Sequence, residues 1–214
     1  VTRTNNLQNR IEPRDFVAQD AEQSRLRIEM AIENIDYQFV RSDETTSTPT
    51  SCELIEVTTA LACASGDPNL AVQVKTGVSR MFADLKRAPY KTLFNPSTSG
   101  AKAFNATLIH RSIDGWIEHK KASLPKKSGP AWGVLVHGNR IFAAAVFRGI
   151  DASLLAQPIG TFATTIKTIP LQSLCDAAFT KMVNAVQTHY PNKFLAVLFK
   201  NPSMSKHVYE LASA

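Results

Sequence analysis

The sequence predicts a mainly α-helical, multi-helix domain with a few short strands near its N-terminus. Three observations carry this. Apolar residues recur at three- and four-residue spacing in several segments, as on a helix with one buried face. Helix-start signals precede those segments, at Asp20, Thr50, Asp67 and Asn201. Apolar alternation of the kind a half-buried strand needs is confined to Tyr37–Val40.

Taken in order, residues 1–19 are polar and irregular, and read as a strand end followed by a loop. Asp20-Ala21-Glu22-Gln23 is a capping box, with Asp20 accepting from the Gln23 amide and the Gln23 side chain reaching back. Leu26 and Met30 form the stripe of the helix that follows, widened by Ile28, Ile32 and Ile35. Residues 42–50 are a polar loop. Thr50-Ser51-Cys52-Glu53 reads as a second capping box, opening a helix that carries Leu54, Ile55, Val57 and Leu61. Gly66 ends it, and Asp67-Pro68 starts the next helix. Between residues 79 and 100, three prolines and glycines at Pro89, Pro96 and Gly100 predict short helical turns packed by Phe82, Tyr90 and Phe94.

Phe104, Leu108, Ile109, Ile113, Trp116 and Ile117 predict one long helix from Ala101 to Lys121. A basic linker, Leu124 to Pro130, follows. Residues 131–150 admit a hairpin turning at Gly138-Asn139 or a helix, and the Ala143-Ala144-Ala145 run favours helix. Extended pieces are expected at 162–169. Ser173–His189 is a helix with Leu174, Ala178, Met182 and Val186 on its apolar face. Phe194–Phe199 reads as a buried apolar run, and Asn201-Pro202 caps a last helix. The expected division is 1–50, strand, loop, helix and strand, and 51–214, a helical domain.

The 214 residues suffice for one large domain or two small ones. No apolar run approaches the ~20 residues of a membrane helix, and the polar start is unlike a signal peptide. The expectation is a soluble, cytoplasmic protein with no membrane partner. A first residue of Val rather than Met predicts a piece of a longer protein. Cys52, Cys63 and Cys175 are odd in number and lack a CxxC, so buried reduced thiols are expected rather than disulfides or a zinc site. The net charge of +6 permits contact with nucleic acid, although no basic run has the density of a nucleic-acid tail.

The densest polar cluster is Thr2-Arg3-Thr4-Asn5-Asn6-Leu7-Gln8-Asn9-Arg10. Its amides pair a donor with an acceptor, as base edges or ribose require, and its arginines suit phosphate. The competing reading is a turn in which the Asn and Gln side chains hold their own backbone. His110, His119, His137, His189 and His207 contain no i, i+4 pair, and read as surface or interface residues. Glu118-His119-Lys120 lies in a predicted helix and reads as a solvated helix end, not a nuclease metal pair. No phosphate loop, GxSxG or serine triad is present. Trp116 and Trp132 lie in apolar runs and read as core. Neither catalytic residues nor a cofactor nor a metal is called for.

The stretch Val1-Thr-Arg3-Thr-Asn5-Asn6-Leu-Gln8-Asn9-Arg-Ile-Glu-Pro-Arg14-Asp15-Phe16 resembles a segment of the AIPR family, the abortive infection phage resistance proteins of bacteria. The resemblance continues through Asp20–Leu26 and Asn34-Ile35-Asp36-Tyr37, and covers about the first 64 residues. Arg41 stands where the family has a basic patch, but Ser42-Asp43-Glu44 replaces its further Lys, Arg and Gly. The resemblance implies a role in defence against phage, with this chain the C-terminal part of a longer protein whose nuclease-like region lies upstream. Carried over by position, it implies that Arg3, Asn5, Gln8 and Asn9 face an upstream motif around a shared nucleotide or nucleic-acid site, and Arg14 and Arg41 are the further candidate ligand-binding residues.

Three readings follow. In the first, the chain supplies nucleic-acid contact, to DNA or RNA, rather than catalysis. In the second, it is a helical scaffold that binds itself or a protein partner. In the third, it is half of a nucleotide site that upstream residues complete.

Overall fold

A computed structural model of the chain describes residues 17–39 and 48–213. It is mainly α, as the sequence predicts, with twelve α-helices and two short strands among the described residues.

The N-terminal layer is held by polar bonds of high specificity. Helix α1 (Ala21–Ile32) is capped by Asp20, whose carboxylate accepts from the amides of Glu22 and Gln23. The return half of the expected capping box is absent. Gln23 is buried, and its side-chain oxygen accepts instead from the Tyr37 hydroxyl at 2.7 Å. Leu26 and Met30 are buried as the spacing requires, but Ile28 and Ile32 are 63% and 77% exposed, so the apolar stripe is narrower than expected. Strand β1 (Asp36–Gln38) pairs in parallel with β2 (Ser51–Glu53), in the register Tyr37 to Cys52. The second expected capping box is therefore a strand. Ser51 pairs with Asp36, and helix α2 (Leu54–Ala64) begins without a side-chain cap.

Helix α3 (Pro68–Gly77) starts as predicted, with Asp67 as cap and Pro68 in its first turn. A 3₁₀ turn (Val78–Phe82) and α4 (Tyr90–Leu93) follow, packed by the Phe82, Tyr90 and Phe94 rings. Helix α5 (Gly100–Ser123) is the predicted long helix. Its first amide, on Gly100, donates to Glu29 of α1 at 2.6 Å. Arg25 grips the same carboxylate and the Asn95 and Thr98 carbonyls. One charged network thus docks α1 on the start of α5.

Residues 131–150 are helical, but as two pieces, α6 (Gly129–His137) and α7 (Asn139–Arg148). Seven consecutive α7 residues, Ile141–Phe147, are buried. A helix apolar all round belongs in the interior, and α7 touches α2, α3, α5, α6, α10 and α12. Its three central alanines let those neighbours approach. The extended pieces expected at 162–169 are instead α9 (Ile159–Thr165) and a 3₁₀ turn (Ile166–Thr168), preceded by α8 (Ala152–Leu155). Buried Asn105 of α5 holds this region, donating to the Leu155 and Gln157 carbonyls at 3.0 and 2.8 Å. Helices α10 (Leu171–His189), α11 (Leu195–Leu198) and α12 (Pro202–Ser213) close the chain. Leu198 and Phe199 are buried, whereas Phe194 and Val197 are 73% and 64% exposed, so the run 194–199 is only half core.

Cys52, Cys63 and Cys175 are all buried free thiols. Among the described residues no helix is long and apolar enough to cross a membrane.

Candidate functional site

The residues singled out in the sequence as ligand-facing, Arg3, Asn5, Gln8, Asn9, Arg14 and Arg41, lie outside the described residues. The described part has a different site, a groove of about 450 Å³ between α6, the end of α10 and α11. Local sequence explains how it forms. Helix α10 stops where Tyr190 closes its last turn onto the Val186 carbonyl, and Pro191 prevents its continuation. The chain then reverses, with the Lys193 amide on the Tyr190 carbonyl at 3.0 Å, and enters α11.

Two glycines of the α6–α7 corner receive α11. A Cβ on Gly133 would overlap Leu195 Cδ1, so Leu195 sits in the notch that this glycine leaves. A Cβ on Gly138 would lie 2.7 Å from Phe199 Cζ and 2.8 Å from the Val134 carbonyl oxygen. The groove's wall is therefore fixed to α6 at two points.

Trp132, His137, Tyr190 and Phe194 line this groove. The His137 and Phe194 rings are 6.4 Å apart and tilted. Tyr190 is anchored, its hydroxyl 2.9 Å from His207 Nδ1. Trp132 is only partly buried, in contrast to the expected core position. Trp116 is core, stacked on Phe142 with centroids 5.2 Å apart.

The groove's electrostatics are one-sided. Lys193 lines it, and no acidic residue does. At the α6–α7 corner, Lys75 Nζ donates to the Val136 carbonyl at 3.1 Å and to Asn139 Oδ1 at 3.0 Å. Burial first, then the charges of Arg140 and Lys200, pull the Lys75 pKa down. Burial, Lys75 and Lys200 likewise lower the His137 pKa, which keeps its imidazole neutral at pH 7. At the other end, Lys126 and Lys127 immediately precede the first turn of α6.

This charge was legible in the sequence, though not as a run. Segments 119–150 and 177–209, within which the groove's lining residues fall, hold ten of the 24 Lys and Arg and none of the 18 Asp and Glu, although Lys120, Lys121, Arg140 and Lys206 pair with acids just outside them. The rest of the chain is net acidic, so the protein's positive charge belongs to this region.

A second polar centre lies between α5 and α7. His110 is buried, contrary to the expected surface placement. Its Nδ1 is 3.2 Å from Asp114, and its Nε2 is 2.8 Å from Arg140 Nη1. The Arg140 contact makes Nε2 an acceptor, so Nδ1 carries the proton and donates to Asp114. With both nitrogens engaged, this centre braces helices and offers no base to a substrate. Glu118 is ion-paired to Lys121 at 2.7 Å on the end of α5, the solvated helix end that the sequence suggested. Among the described residues no group of three or more His, Cys, Asp or Glu is placed to hold a metal.

The described residues form a helical fold with an aromatic-lined groove that carries Lys193 and no acid. Comparison with protein-family models, curated proteins and solved structures gives no match.

Proposed function

We propose that this chain is part of a bacterial phage-defence protein of the abortive infection phage resistance type, and that it contributes nucleic-acid contact rather than catalysis. The defence role is supported by the Asn5-Asn6-Leu7-Gln8-Asn9 string in its context. The nucleic-acid role is carried by one observation, a groove lined by Lys193 and no acid, with further cations without an ion pair among the described residues beside its lining segments. Lys126, Lys127, Lys193 and Lys200 make no ion pair among the described residues. A polyanion that neutralises them releases its condensed counterions, which favours binding and makes it salt-dependent.

Fluorescence anisotropy with labelled duplex DNA, single-stranded DNA and RNA tests this. Four phosphate contacts predict a loss of affinity of roughly 50- to 150-fold between 50 and 200 mM salt. Absence of binding to all three at 50 mM salt overturns the reading. The defence role is tested separately, by phage plating on cells that express the whole protein with and without the pair Lys193→Glu and Lys200→Glu.

One observation favours a second reading, a scaffold. Ile28 and Ile32 lie one turn apart on the outer side of α1, both exposed. Self-association through that face predicts a sedimentation coefficient that rises with concentration, and that stops rising when both are changed to Asp.

A further inference from the structure

We propose that the groove takes an unpaired nucleobase, so that the protein prefers single-stranded nucleic acid to duplex. This deepens the nucleic-acid reading and rests on it. Phe194, which is 73% exposed, presents most of its ring to solvent. It stands beside the His137 ring and shares the groove with partly buried Trp132 and Tyr190. Flat rings on a partly open pocket suit a flat ligand, and the volume of about 450 Å³ lies within the range of small-ligand sites, roughly 300–1,000 Å³.

Charge then selects among flat ligands. Cations stand at both ends of α6, Lys126 and Lys127 before it and Lys75 and Lys200 by its last turn, with Lys193 on the groove itself. The helix spans about 12 Å between these ends at 1.5 Å per residue. A ligand with a ring in the middle and anionic groups to either side matches that layout, and a nucleotide within a strand has that form. Duplex does not, because its base faces are buried in its own stack. Aromatic stacking tolerates any base, so the preference is for strandedness and not for sequence. Neutral His137 and the Gln187 amide, both lining the groove, supply donors and acceptors for a base edge.

The test uses fluorescein-labelled oligo(dT), oligo(U) and a duplex of equal length, with tryptophan emission as a second signal. The expected result is tighter binding of the single strands than of the duplex. Oligo(dT) should quench tryptophan emission in the parent protein, and the quench should be lost in Trp132→Phe. Phe194→Ala, at an exposed position the fold does not need, should weaken single-strand binding by roughly 5- to 150-fold and leave duplex binding and the salt slope unchanged. Lys193→Glu with Lys200→Glu should weaken both forms. Equal affinity for duplex and single strand, with Phe194→Ala silent, overturns the base-pocket inference and leaves the nucleic-acid reading standing. No binding of any polynucleotide at 50 mM salt removes both, and directs the groove to a protein ligand.

Discussion

Arg111 of α5 holds Glu56 of α2 in a two-bond fork, Nε to Oε1 at 2.6 Å and Nη2 to Oε2 at 2.7 Å. Nη2 also donates to the Ser51 carbonyl at 2.6 Å, and Nη1 to the Thr48 carbonyl at 3.3 Å. One guanidinium therefore ties α2, α5 and the entry to β2 together. The two side chains are 24% and 26% exposed, too covered for the weak surface regime.

Replacing Arg111 with Ala strands a half-buried carboxylate and two carbonyls. The expected loss is about 2–4 kcal/mol, or roughly 5–15 °C in a thermal melt of a chain this size. Arg111→Lys should recover less than half, because an ammonium cannot form the planar fork. A melt unchanged within a degree for Arg111→Ala would show the fork to be incidental.

His110 makes the fold acid-sensitive. Burial, against the attraction of Asp114 and with the repulsion of Arg140, lowers its pKa from 6.5 to about 4. The folded-state pKa lies below the unfolded one, so between these values the unfolded chain binds more protons. Its contribution is then fully present above pH 6.5 and is lost as pH falls toward 4. The amount is about 3 kcal/mol across that window. Denaturant titrations at pH 7, 5.5 and 4.5 should show this slope, and His110→Gln, which keeps polar atoms but cannot titrate, should flatten it. Equal slopes for the two proteins would locate the acid sensitivity elsewhere.

Much of this architecture follows from local pattern. The α5 helix is legible because Ile109, Ile113 and Ile117 recur one turn apart and are all buried. The region 131–150 is harder, because a helix buried on every side has no period to read, and α7 is such a helix. The Ser51–Glu53 strand is masked by its own chemistry. A Thr-Ser-x-Glu string is a sound cap signal, but backbone pairing with Asp36–Gln38 takes precedence, and that partner is remote in sequence.

The groove was illegible for a related reason. It depends on Leu195 meeting the notch at Gly133 and Phe199 the one at Gly138, contacts that no spacing rule predicts. Only its charge was on view, as two acid-free stretches, and their joining required the fold.

The three thiols should be inert in the native state. Burial pushes Cys52, Cys63 and Cys175 up to about 12, so almost no thiolate exists at neutral pH, and none is open to solvent. Iodoacetamide at pH 8 should label none of them within the time that labels all three in denaturant. Fast modification of any one in native buffer would mean that its helix or strand opens locally.

Gly138 is predicted to be the position at which fold and groove fail together. Its φ of −96° is open to any residue, so the constraint is contact and not conformation. A methyl there meets the Phe199 ring at 2.7 Å and the Val134 carbonyl at 2.8 Å, and the carbonyl belongs to the helix turn itself and cannot swing away. Relief must come from Phe199, which is 1% exposed and packed in the core. Gly138→Ala should therefore cost about 1–3 kcal/mol through overpacking. It should also lift α11 from the α6 corner, moving Phe194 and with it the groove's shape. Gly160, where a Cβ meets nothing within 4 Å, is the control, and Gly160→Ala should leave stability unchanged or slightly raised. Should Gly138→Ala match that control in both melting temperature and single-strand affinity, the Phe199 anchor does not hold α11, and the groove's wall is set by the Pro191 turn alone.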